Sequence, residues 1–193
     1  MRTLSNRWQL AIGCALLALM IATRGHHFPT VKQALPSASW AAFFLAGIYL
    51  RPVWALGLFL AGAALLDYIA IFRNGVSSFC VSPAYAALVA AYGALWAAGR
   101  WYAARHAFKP ATLVPLAVAV VVGALVCELI SSGSFYFFSG RFADPTLAQF
   151  APRLTRYFPS SLTSLSFWVA AAGLVHTLAA VTRRRAPQPT EGY

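Results

Sequence analysis

Val53 to Phe72 read VWALGLFLAGAALLDYIAIF, twenty residues with a single charge at Asp67. A helix that crosses the ~30 Å hydrocarbon layer of a bilayer needs about 20 mostly apolar residues. This stretch meets that length, and Pro52 just before it suits the first turn of a new helix. The rest of the chain repeats the pattern. Further apolar runs lie at about 8–23, 36–50, 82–100, 111–131 and 160–182. Among 193 residues, 60% are hydrophobic and 10% charged, whereas soluble domains average about 45–50% apolar and about 25% charged. The mean hydropathy is +0.67. These features predict an all-α integral membrane protein, one domain of six transmembrane helices over residues 1–185. Arg183 to Arg185 would stop the sixth span, leaving 186–193 as a short proline-containing disordered tail. The run after Arg2 and Arg7 lacks a small-residue cleavage site and reads as a span rather than a signal peptide.

Fifteen Lys and Arg face four Asp and Glu, a net charge of +11. In a soluble chain that excess would suggest nucleic acid. Here the basic residues gather in short connections between apolar runs, where they set topology and meet lipid headgroups. Nucleic acid is therefore not expected as a partner; the lipid bilayer is. Six spans put both termini on one side. That side carries nine basic residues (Arg2, Arg7, Arg51, Arg100, Arg105, Lys109 and Arg183 to Arg185) against six on the other. The bias predicts cytoplasmic termini. The connections 24–35, 73–81 and 132–159 then face outward, and none is long enough to fold as a soluble enzyme domain.

Chemistry must therefore sit among the helices and outer loops. Asp67 lies near the outer end of the third span and Glu128 near the outer end of the fifth. An ionisable group at membrane depth marks either a functional site or an internally satisfied partner, such as an arginine pair. Both readings stand for each carboxylate. Three cysteines make no disulfide framework, because Cys14 and Cys127 lie in apolar runs. Cys80 differs: it stands in the polar connection NGVSSFCVSP, residues 74–83. Ser82-Pro83 reads as an N-cap followed by proline at the first helical position, and the helix dipole there favours a thiolate. A thiolate is a metal ligand and a nucleophile; the alternative is a small residue in a tolerant loop. Tyr85 falls one turn on, at the same rim. The segment 131–161 interleaves eight aromatic rings with Arg141, Arg153 and Arg156. It reads either as an interfacial aromatic belt or as a lid over a large, partly apolar ligand. His26 and His27 with Cys80 would be a zinc set of irregular spacing. In the first span, Ala11, Ala15, Ala18 and Ala22 form a smooth strip on which another helix can pack.

Cys80 in FCVSP, with Asp67, Tyr85 and the alanine strip, resembles the BtuM family of cobalamin (vitamin B12) transporters. The six-span chain as a whole, from about Arg7 to Arg183, is similar to the substrate-binding S components of energy-coupling-factor (ECF) transporters. The resemblance implies a bacterial inner-membrane protein with an S-component-like bundle. It implies that Cys80 ligates cobalamin cobalt, with Asp67, Tyr85 and Arg153 around the corrinoid. It also implies that the Ala11/Ala15 strip meets an ECF coupling module. Sulfur donation to cobalt would weaken the bond to the upper ligand, so loss of cyanide, with Cys80, Asp67 and Tyr85 as the participating residues, is a plausible accessory reaction. No Walker motif is present, so ATP hydrolysis is not expected of this chain. A membrane thiol enzyme using Cys80, or a structural subunit of a larger complex, are the other readings.

Overall fold

The computed structural model describes residues 5–24, 35–74 and 82–185. Cys80, His26, His27 and the tail 186–193 lie outside the described residues. The described chain is helical throughout. α1 is Asn6–Thr23, α2 Ser39–Tyr49 and α3 Trp54–Asn74. A 3-10 turn, Pro83–Ala86, leads into α4, Ala87–Arg105. A second, Pro110–Thr112, leads into α5, Leu113–Phe138, and α6 is Leu147–Arg185.

Among the described residues, four stretches are long and apolar enough to cross a membrane: Asn6–Thr23, Trp54–Arg73, Pro110–Phe138 and Leu147–Thr182. Their outward faces carry large apolar side chains in the open, among them Leu58, Leu65, Phe72, Val114 and Leu174. Patches of that kind signal a non-aqueous neighbour, here lipid. α2 does not meet the length test. Its 11 residues rise about 16 Å at 1.5 Å per residue, roughly half the hydrocarbon. It has no need of more, because it forms the centre of the bundle, buried from Ala41 to Ile48. Phe43 stacks on Tyr92 of α4 at 4.3 Å and meets Phe59 of α3 edge-on at 5.9 Å.

Glycines let these helices approach backbone to backbone, the means by which helices associate without a hydrophobic driving force between them. A Cβ on Gly99 of α4 would lie 2.0 Å from the Phe44 carbonyl oxygen of α2. One on Gly47 would lie 2.1 Å from the Trp96 carbonyl oxygen. Neither position has room for alanine.

The outer connection expected over 132–159 is not a loop. α5 continues to Phe138 and α6 begins at Leu147, so only 139–146 is non-helical. Gly140 and Asp144 take left-handed backbone there, with φ of 69° and 48°. Left-handed glycine just past a helix end is the usual stop signal. Hydropathy marks where a helix leaves lipid rather than where it ends, so serines, arginines and prolines continue the helix into the aqueous zone. α6 has 39 residues, about 58 Å of helix, and carries Pro152 and Pro159 inside it.

Candidate functional site

Thr23, the last residue of α1, fixes the geometry at one end of the bundle. Its hydroxyl donates to the Leu19 carbonyl at 2.8 Å and accepts the Ala38 amide at 2.9 Å. The end of α1 is thereby joined to the start of α2. Trp168 of α6 donates its indole N–H to the Pro36 carbonyl at 3.0 Å and holds the same entry from the other side. Arg24 follows Thr23 and turns inward.

The Arg24 guanidinium grips Asp67 of α3 with two prongs. Nε donates to Oδ1 at 2.8 Å and Nη2 to Oδ2 at 2.7 Å. Nη1 donates to the Tyr92 hydroxyl of α4 at 3.1 Å. The Tyr85 hydroxyl, on the 3-10 turn, donates to Asp67 Oδ2 at 2.6 Å. One carboxylate therefore ties together the end of α1, the middle of α3 and the start of α4. Bidentate arginine–carboxylate pairing of this kind is among the stronger hydrogen-bonded contacts. Burial alone would lower the Arg24 pKa, but the hydrogen bonds to Asp67 outweigh it and the net shift is upward.

Beside this network lies a polar cavity of about 390 Å³. Thr23, Arg24 and Asp67 line one side; Ser160, Ser161 and Ser164 of α6 line the other. Its volume falls within the range of pockets that hold small ligands, and its wall offers hydroxyls, a guanidinium and a carboxylate. A second buried polar group stands nearby in sequence. Ser82 occupies the N-cap position expected of it, yet its side chain makes no capping bond. Its Oγ is buried without a hydrogen-bond partner among the described residues.

The structure thus brings two expected site residues, Asp67 and Tyr85, into direct contact. Arg153 is elsewhere. It stands over the rings of Phe142 at 4.7 Å, Tyr136 at 5.5 Å and Tyr157 at 5.9 Å. The aromatic residues expected as a lid pack partly on one another: Tyr136 is buried, 4.8 Å from Phe142 and 5.6 Å from Phe150. Its hydroxyl donates to Gln149 Oε1 at 3.0 Å. Glu128 is buried in α5, where the Ser132 hydroxyl donates to it one turn along. That is the internally satisfied reading of an intramembrane carboxylate. Among the described residues no group of three or more potential metal ligands is assembled.

Arg24, Tyr92 and the three serines of α6 are the residues that sequence reasoning did not bring to the site. Arg24 had a detectable signal: a lone carboxylate at membrane depth needs a cation, and Arg24 directly follows a span.

Comparison with protein-family models and with curated proteins finds no match. The class is defined by the described residues, which are all-helical and include four helices long and apolar enough to cross a membrane. Its most elaborate polar arrangement among the described residues is the Arg24–Asp67–Tyr85–Tyr92 network.

Proposed function

We propose that this protein is a cobalamin-binding membrane transporter, or the substrate-binding component of one. It takes the corrinoid from the outer face, with Cys80 as the axial cobalt ligand. In this reading six helices cross or enter the bacterial inner membrane as an S-component-like bundle with cytoplasmic termini. The observation that carries it is the Tyr85–Asp67 hydrogen bond at 2.6 Å. It joins the lone carboxylate of the third span to the rim residue that follows Cys80 by five positions. Around that pair the wall is rich in hydroxyls and carries one guanidinium, which suits a ligand edged with amides and bearing a phosphate.

The 390 Å³ cavity lies near the lower end of the range for drug-sized ligands, and a corrinoid is larger. The ring must therefore extend beyond this recess, with the recess receiving an amide-bearing edge. The chain enters the Cys80 connection from Asn74 and leaves it at Ser82, whose buried hydroxyl has no hydrogen-bond partner among the described residues. The alanine strip supports a partner-facing role. Ala11, Ala15, Ala18 and Ala22 are all exposed on α1, away from the bundle core.

The test is the visible spectrum of protein purified with and without added cobalamin. A bound corrin spectrum at one equivalent supports the reading. Its absence at saturating cobalamin, in folded protein, rejects it.

A further inference from the structure

A larger cavity, about 800 Å³, lies at the opposite end of the bundle. The last turns of α2 and α4, the start of α5 and the middle of α6 enclose it. Most of its wall is aliphatic, including Leu45, Ile48, Leu116, Val120, Val169 and Leu174. Its lining also carries two histidines, His106 and His176. His106, the residue after α4, shares a hydrogen bond through Nδ1 with the Tyr102 hydroxyl, 2.9 Å away. His176 of α6 lies with its ring 5.7 Å from that of His106, and the Tyr49 hydroxyl reaches its Nδ1 at 3.4 Å.

His106 Nε2 is buried and has no hydrogen-bond partner among the described residues. Burial, with His176 adjacent, lowers the His106 pKa. A neutral imidazole is a donor at one nitrogen and an acceptor at the other. Nδ1 is engaged by Tyr102, so in either tautomer Nε2 is the ring atom left without a partner among the described residues. A buried polar atom left unsatisfied is costly. Lys109 and Thr112 stand on the same wall, and none of the described lining residues is acidic. The cavity thus has an apolar body, and its lining carries the unpartnered His106 Nε2 and the cationic Lys109 with no acidic residue to offset it.

We infer that this cavity binds an acyl chain of an anionic phospholipid, with the headgroup phosphate held near His106 Nε2 and Lys109. Basic recesses between membrane helices are established sites for anionic headgroups. The exposed apolar faces of α3, α5 and α6 put the protein in a solvent that supplies this ligand. The site is independent of cobalamin binding, being at the other end of α2 and α4.

The test reconstitutes full-length protein in vesicles of equal parts phosphatidylcholine and phosphatidylglycerol. The protein is then extracted in mild detergent and its retained lipids weighed by native mass spectrometry, with no cobalamin present. Wild type should keep one phosphatidylglycerol in preference to phosphatidylcholine. Gly173 lines the cavity and a Cβ there would enter open space, so Gly173→Phe, or the smaller Gly173→Leu, puts side-chain volume into the cavity. Either should cut retention about tenfold or more, the equivalent of about 1.4 kcal/mol, at an unchanged melting temperature. His106→Phe should abolish the preference for phosphatidylglycerol. Equal retention in wild type and both filled variants, or equal retention of the two lipids by wild type, would overturn the inference.

Discussion

Asp67→Asn removes the charge at the centre of the network while keeping its shape. The asparagine oxygen can still accept from Arg24 Nε at the Oδ1 position. At the Oδ2 position an NH2 group would face two donors, Arg24 Nη2 and the Tyr85 hydroxyl, which now lie at 2.7 and 2.6 Å. Tyrosine can rotate its hydroxyl and accept; arginine cannot. Breaking a fully buried ion pair costs about 3–5 kcal/mol. The side chains here are 13% and 27% exposed, so solvent screening reduces the expected cost to about 2 kcal/mol. Tyr85→Phe, losing one hydrogen bond to a charged acceptor, should cost about 1 kcal/mol. In the Asp67→Asn background that bond is to a neutral amide and is weaker, so Tyr85→Phe costs less there and the two costs should fall short of additivity by about 0.5 kcal/mol or more. The assay is equilibrium unfolding in mixed micelles for the four proteins of the cycle, repeated with cobalamin. All should remain folded at low denaturant, and both single variants should bind cobalamin more weakly. Strictly additive costs, or less than about 0.5 kcal/mol for Asp67→Asn, would refute the shared-carboxylate geometry. Unchanged cobalamin affinity in both would assign the pair to structure alone.

Gly99→Ala should destabilise the bundle by about 3 kcal/mol, the upper end for overpacking, because its Cβ would strike backbone rather than a movable side chain; a melting temperature within a degree or so of wild type would contradict the close approach of α2 and α4. Ala15→Trp, on the exposed strip, should impair uptake in cells while sparing cobalamin binding in detergent, and lost binding would mean that the strip serves the internal core. A single labelling site at 139–146, the non-helical connection between α5 and α6, should react with an impermeant reagent from outside, whereas a C-terminal site should not. The reverse pattern would invert the orientation.

Much of the architecture was legible in hydropathy, because lipid demands long apolar runs. The run 53–72 became α3, Trp54–Asn74, and 8–23 became α1, Asn6–Thr23. Where lipid does not decide, the boundaries moved. Ser39–Tyr49 is shorter than its run since it is sheltered on every side, and α6 gains more than three turns at Leu147–Pro159 because a helix outside the hydrocarbon can carry serines, arginines and prolines. At the site, Asp67 and Tyr85 were found from depth and rim position. Arg24 was hidden among topology-setting cations, and the serines at 160, 161 and 164 come close only through the course of α6. Arg153, suggested by the charge pattern of its segment, stands over an aromatic cluster, and its relation to Cys80 falls outside the described residues.

Cys80→Ser separates coordination from packing most directly, since serine is similar in size and a far poorer ligand for cobalt. The measurement is a visible-absorption titration of purified wild type and variant with cyanocobalamin, each shown to be folded. If Cys80 sulfur reaches cobalt, wild type develops an altered corrin spectrum at one equivalent and the variant loses both that signature and most of its affinity. Equal affinity and identical spectra in the two proteins would contradict sulfur–cobalt ligation and return Cys80 to the standing of a tolerated loop residue.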